Sequence, residues 1–127
     1  MQLQIKTEKS RQVVDITDQI QANVEPGAKA VNVLAAHTTC AITTADLDPG
    51  TDEDLLQALA AIVPKLNYRH PHDSSHEHVM SHLASSIIGP AVIIPVKDGR
   101  LVLGSWQRLI LVELDGPRTR SIHITNL

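Results

Sequence analysis

The chain has 127 residues, a formal net charge of -3 and a hydrophobic content of 43%, which suits one globular domain spanning 1–127 and excludes a disordered chain. With no Phe, one Trp and one Tyr, the core has to be built from Val, Ile, Leu and Ala. No cluster of Lys and Arg marks a nucleic-acid footprint, and no apolar stretch reaches the length of a membrane span.

Polar and apolar residues alternate from Gln2 to Thr7, which reads as a strand rather than a signal or transit peptide. Val13 to Ile16 reads as a second strand. Thr17 is placed to cap a short helix running to about Val24, which Pro26-Gly27 ends. Ala30 to Ala36 is a near-continuous apolar run, the pattern of a buried strand. It leads directly into His37-Thr38-Thr39, and Ala41 to Thr44 is again extended. Asp48-Pro49-Gly50 is a turn. Thr51 with Asp54 three residues on is a capping-box pattern, and Leu55, Leu56, Leu59, Ile62 and Val63 recur at helical spacing up to Pro64. The acidic run Asp52, Glu53, Asp54 suits the positive end of that helix better than catalysis.

Ser74 with Glu77 is a second capping box, opening a helix to Ile88 that Gly89 and Pro90 close. Ala91 to Val96 is a strand, Asp98-Gly99 a hairpin turn, and Leu101 to Leu103 its partner. Gln107 to Leu114 and Arg118 to Thr125 read as a further strand pair around Asp115-Gly116-Pro117. Strands at both ends with two to three helices between them give an α+β domain with a mixed or antiparallel sheet.

Five of the seven histidines fall between residues 70 and 82. His78 and His82 lie four apart on a helix, so both imidazoles share one face and can share one cation. His70, just before the helix, or His37, at the strand end, can supply a third ligand. Zinc accepts neutral imidazole, and its catalytic sites keep one position open. On the helical wheel Val79, Met80, Leu83 and Ile87 form the apolar stripe. His78, His82 and Ser85 lie roughly opposite, a face expected to meet solvent or another element rather than the core. Any one of these histidines alone reads better as a structural residue; the cluster reads as a metal or acid/base site. His72 and His76 read as loop and first-turn residues, and His123 as a surface strand position.

The His37-Thr38-Thr39 triplet sits where strand-end sites form, with an imidazole for proton transfer and hydroxyls and amides for an oxyanion. Arg118 and Arg120 carry guanidinium forks suited to phosphate, or to an ion pair with Asp115. Cys40 is the only cysteine. It excludes an internal disulfide, suits a reducing cytoplasm, and reads as a core residue before a nucleophile.

Four motifs occur in order: His37-Thr38-Thr39-Cys40-Ala41-Ile42-Thr43; Ser81-His82-Leu83-Ala84-Ser85-Ser86 with Gly89; Leu103-Gly104-Ser105-Trp106-Gln107; and Asp115-Gly116-Pro117-Arg118-Thr119-Arg120. Through them nearly the whole chain resembles the YjbQ-like family, often labelled secondary thiamine-phosphate synthase. The resemblance implies a compact α+β subunit, a homotrimer, and a histidine site near a subunit boundary. The family's motif histidines correspond to His37, His70 and His82, and the resemblance implies catalytic roles for them. It extends substrate contact from Thr38, Thr39 and Arg118 to Trp106 and Gln107. His78 stands where many members carry Asn. Ala45-Asp46-Leu47 stands, one residue shorter, where many carry Asn-Glu-Asn.

The implied reaction joins a pyrimidine diphosphate to a thiazole phosphate, releasing pyrophosphate. Such a reaction usually uses a divalent cation. Magnesium suits a diphosphate, whereas imidazole ligands at His70, His78 and His82 favour a zinc-like metal. Three expectations follow: an enzyme acting on a phosphorylated small molecule, a metal-dependent hydrolase of an ester or phosphoester, or a ligand-binding protein without catalysis.

Overall fold

A computed structural model describes residues 1–69 and 75–127. The described elements are β1 (Gln2–Lys6), β2 (Gln12–Asp15), α1 (Thr17–Gln21), β3 (Ala30–Ala35), β4 (Cys40–Asp46), α2 (Thr51–Ile62), α3 (His76–Ile88), β5 (Ala91–Lys97), β6 (Arg100–Leu101), β7 (Gln107–Glu113) and β8 (Thr119–Asn126). The strands form a five-stranded sheet, β1-β8-β3-β5-β6, and a three-stranded sheet, β2-β7-β4. Every pairing among the described residues is antiparallel. The fold is α+β, as the sequence implies.

Side-chain alternation along β7 explains the layering. Leu109 and Leu111 point into a core shared with Ile5, Val31, Val33, Ile122 and Ile124 of the five-stranded sheet. Ile110 and Val112 point the other way, into a second core with Leu59 and Val63 of the α2 region and Met80 and Ala84 of α3. The three-stranded sheet is therefore a middle layer, covered by a sheet on one face and helices on the other. That is why β7 reads as a continuous apolar run. Each fully buried Leu or Ile contributes roughly 1.5–3 kcal/mol.

Several expectations change. β7 and β8 do not pair with each other: β7 lies between β2 and β4, and β8 between β1 and β3. Asp115-Gly116-Pro117 is thus a crossing between sheets, not a hairpin turn. Alternation fixes the faces of a strand and leaves its partner open. Thr17 and Thr51 are the first residues of their helices instead of caps. Ahead of α1, Asp15 Oδ1 accepts from the Thr17 amide at 3.0 Å. Ahead of α2 stands Gly50 at φ 90°, a left-handed conformation open to glycine. The cap of α3 is Ser75, whose hydroxyl oxygen accepts the His78 N–H at 3.2 Å; Ser74 lies outside the described residues. α1 stops at Gln21, short of Val24. The partner of β5 is Arg100–Leu101, reached through Asp98 at φ 52° and Gly99 at φ 77°.

Candidate functional site

Two crossings between the sheets lie at the same end of the sandwich. One is the Ala36–Thr39 segment joining β3 to β4. The other is the 114–118 segment joining β7 to β8. Register places them side by side, because Cys40, first in β4, is opposite Glu113, last in β7.

β3 runs out opposite Ile122. The next amide of β8, Ser121, donates to His37 Nε2 at 2.8 Å instead of to a strand carbonyl. An acceptor nitrogen carries no proton, so neutral His37 holds its proton on Nδ1. Burial, followed by the nearby Arg120 guanidinium, holds the His37 pKa below the ordinary histidine value.

Beneath this turn lies a buried ion pair. Glu113 is 0% and Arg120 1% exposed. Both continue the inward faces of their strands, Glu113 after Leu109 and Leu111, Arg120 before Ile122 and Ile124. Arg120 Nε donates to Glu113 Oε1 at 2.9 Å, and its Nη2 bonds Glu113 Oε2. The same Nη2 reaches the Thr39 carbonyl at 3.0 Å and the Thr39 hydroxyl at 2.9 Å. Thr7 Oγ1 donates to Glu113 Oε1 at 2.7 Å, and the Leu114 and Asp115 amides donate to Oε2 at 3.0 and 3.2 Å. Burial alone would raise the Glu113 pKa; the bonds from Arg120, Thr7 and the Asp115 amide outweigh it and hold the carboxyl below its usual range. One ionised pair thus ties both crossings together.

α3 is fastened over this end by two buried hydroxyls. Ser81 Oγ donates to the Leu114 carbonyl at 2.6 Å, and Ser85 Oγ to the Cys40 carbonyl at 2.6 Å. The wheel's assignment of Ser85 to an outward face is therefore corrected: Ser85 is buried, and Ile87 is 62% exposed. Hydroxyls bonded to strand-end carbonyls enter a core at little cost. This registration leaves His78 and His82 half-buried beside the crossings. Their Nε2 atoms face each other at 3.3 Å, with the rings edge-to-face at 83°. Behind them His78 Nδ1 lies 3.4 Å from Asp115 Oδ2. Arg118 holds that same oxygen through Nη2 at 2.9 Å and the Asp115 carbonyl through Nε at 2.6 Å.

A cavity of about 460 Å³ gathers His37, Thr38, Thr39, His78, His82, Asp115, Arg118 and Arg120. Six of these are the sequence's own candidates from distant segments. Arg120, weighed with Arg118 as an anion fork, is instead committed to Glu113 and Thr39. His70 lies outside the described residues. Trp106 and Gln107 are not brought to this cavity. Gln107 begins β7, six residues from Glu113, about 20 Å along an extended strand. The Gln107 amide donates to Thr44 Oγ1 at 2.9 Å, and Trp106 is 74% exposed. Both line a separate cavity of about 420 Å³ with Thr44, Asp46, Gly104 and Ser105. Cys40 is buried and its thiol is pushed up to about 11, chiefly by burial, so it is a core residue.

Two nitrogens bonded to a tetrahedral zinc at about 2.0–2.1 Å lie about 3.3 Å apart. The His78–His82 spacing matches that edge, so the pair fits two positions around such a cation. Among the described residues no group of three His, Cys, Asp or Glu side chains converges to hold a metal.

Sequence reasoning missed Asp115 as a partner of His78, since the two lie on unconnected elements. It also missed Glu113. The signal was present: a lone carboxylate inside Leu109–Leu114, otherwise wholly apolar, marks a buried charge that needs a buried cation.

No described helix is long and apolar enough to cross a membrane. Over residues 1–127 the chain matches the model of the UPF0047 protein YjbQ-like family. It is 37% identical to a UPF0047 protein of Archaeoglobus fulgidus, covering 100% of both chains. It is 36% identical to UPF0047 protein YugU of Bacillus subtilis, covering 96% of this chain and 94% of that one. Among solved structures, an uncharacterized conserved protein of the YjbQ/UPF0047 family from Clostridium acetobutylicum superposes with a TM-score of 0.89 at 29% identity, over 100% and 99% of the two chains. A YbjQ-like protein of unknown function from Sulfolobus solfataricus gives 0.82 at 31% identity, over 98% and 92%. On the full-length family match and these relatives, the chain belongs to the UPF0047 YjbQ-like family.

Proposed function

We propose that the protein is a metal-assisted enzyme acting on a phosphorylated small molecule. The supporting observation is the single cavity that combines two facing imidazole Nε2 atoms with Arg118, His37 and the Thr38-Thr39 turn. His78 and His82 are the residues to hold a divalent cation, joined by His70 as the third imidazole that the sequence places just before the helix. When bound, such a cation supplies positive charge to a phosphoryl oxygen and lowers the pKa of bound water. Arg118, half-exposed and clasped to Asp115, offers its guanidinium edge to phosphate. His37 offers an N–H donor on Nδ1 and Thr38 a hydroxyl, neither of which needs to change protonation. The catalytic role that the resemblance implies for His82 is, in this reading, that of a ligand to the cation.

The named version of this reading is thiamine-phosphate synthesis from the pyrimidine diphosphate and thiazole phosphate. Turnover of those two precursors, assayed with zinc, manganese and magnesium, tests it directly. Product formation lost in His82→Ala supports the synthase; no product with any metal rejects it. The donor chemistry favours a second version, hydrolysis of a phosphoester, because imidazoles suit zinc better than the oxygen-seeking magnesium of diphosphate chemistry. A phosphomonoester panel with the zinc-loaded protein separates the two. Turnover that survives both His37→Ala and His82→Ala would leave a non-catalytic ligand-binding role for the site.

We also infer a homotrimer working in the cytoplasm. The family resemblance and the exposed Trp106 support the assembly, because an isolated exposed Trp favours a partner surface. Light scattering of the purified chain tests it: a mass of three chains supports it and a monomer rejects it.

A further inference from the structure

We propose that Asp115 is a positioning residue: it fixes the His78 ring with its proton on Nδ1 and its Nε2 lone pair turned into the cavity. Part of the test rests on the metal reading above; the inference itself stands on geometry. Asp115 Oδ2 lies 3.4 Å from His78 Nδ1. A carboxylate only accepts hydrogen bonds, so in the neutral ring it favours the proton on the nitrogen that faces it. The spacing is longer than a full hydrogen bond, and such contacts commonly tighten when a ligand fills the site.

The carboxylate is itself held. Arg118 grips Oδ2 at 2.9 Å and the Asp115 carbonyl at 2.6 Å, and the Asp115 amide donates to Glu113 Oε2 at 3.2 Å. On the other side, the Ser75 cap takes the His78 amide at 3.2 Å and fixes the start of the helix. The ring and its carboxylate are therefore anchored on two elements that Ser81 joins through the Leu114 carbonyl.

A consequence follows for the neighbour. With the His78 proton on Nδ1, the 3.3 Å contact between the two Nε2 atoms is a hydrogen bond when His82 carries its proton on Nε2. Neutral, metal-free protein then holds the two rings as opposite tautomers, His78 protonated on Nδ1 and His82 on Nε2. A cation entering between them finds one lone pair already in place. A carboxylate behind an imidazole ligand is a recurring way to fix tautomer and orientation, and its loss costs about 10- to 100-fold in metal affinity.

The test uses the full chain with ¹⁵N-labelled histidine, stripped of metal, at pH 8. Long-range ¹H–¹⁵N correlation reads which nitrogen of each ring carries the proton. Expected is Nδ1–H for His78 and Nε2–H for His82 in the wild type. Asp115→Ala shifts His78 toward Nε2–H, Asp115→Glu retains Nδ1–H, and Arg118→Ala, which keeps the carboxylate, also retains it. Asp115→Asn, nearly isosteric, serves if the alanine variant does not fold, and is expected to weaken the preference. An Nε2–H His78 in the wild type, or a tautomer indifferent to both Asp115→Ala and Asp115→Asn, overturns the proposal. Zinc titration with a chromophoric competitor separates the two readings. A wild type that binds no zinc but shows the tautomer response keeps the proposal and rejects the metal site. Zinc bound equally by wild type and Asp115→Ala, with unchanged tautomers, does the reverse.

Discussion

The Ser121 backbone N–H donates to His37 Nε2 at 2.8 Å, so a side chain in the loop completes the hydrogen-bonding edge that β3 leaves unfinished. The ring is thereby made a neutral donor. Its pKa is held below the ordinary histidine value of 6.5 by burial first and Arg120 second. The folded state releases this proton more readily than the unfolded state. Its contribution to stability is therefore full above pH 6.5 and lost as pH falls from there through the lowered folded value. An NMR titration is expected to show His37 titrating below ordinary histidine, and His37→Ala is expected to lose about 1 kcal/mol by leaving the Ser121 amide unpaired. A His37 midpoint at or above the ordinary value would contradict the acceptor role.

Glu113 and Arg120 give the largest expected loss of stability. Removing one member strands the other charge in the core, which costs roughly 3–5 kcal/mol, whereas replacing both with apolar residues costs far less. Urea unfolding should therefore find Glu113→Ala or Arg120→Ala much less stable than a Glu113→Leu, Arg120→Met double variant. The pH dependence follows from the same pair. The Glu113 pKa lies below the ordinary glutamate value of 4.5 when folded. Its stabilisation is present above that value and is lost as pH falls through the lowered one. Acid unfolding should show this as a steep decline below about pH 4.5 that the double variant lacks. Equal stability of single and double variants would remove the pair from its structural role.

Much of the fold was legible because alternation and helical spacing report burial directly. β3, β4 and both long helices follow from such runs, and the Asp98-Gly99 hairpin from its turn residues. What stayed hidden depends on contacts between distant segments. β7 and β8 look like a hairpin until the Glu113–Arg120 pair and the crossing at 115–117 are seen to join two different sheets. The helix caps slipped by one residue where several Ser, Thr and Asp side chains compete. At the site, His37, His82 and Arg118 were readable as chemical types. Asp115 became significant only when α3 was laid over the β7–β8 crossing. Trp106 and Gln107 share motif standing with the histidines, yet the strand length of β7 separates them from the cavity.

The His78–His82 pair makes metal content a direct observable. Elemental analysis of the purified wild type should give near-stoichiometric zinc or another transition metal, and His82→Ala should lose it, because the proposed His70, His78 and His82 set is then short of one imidazole. Metal-free wild type would turn the pair into a proton-sharing couple, and phosphate-ester ligands would be the next probe. Zinc retained in His82→Ala would move the site elsewhere.

Cys40 stands beside the site in sequence but not in chemistry. Its side chain is 0% exposed, and burial lifts the thiol to about 11. At pH 8 that leaves on the order of one thiolate in a thousand, and the thiolate is the reactive form. A thiol reagent should therefore label the native protein only at the rate of unfolding, and labelling should accelerate with urea. Since the thiol serves packing, Cys40→Ala should lower stability by about 1 kcal/mol while leaving turnover and metal content intact. Rapid labelling of the folded chain, or loss of turnover with stability preserved, would return Cys40 to the list of reacting groups.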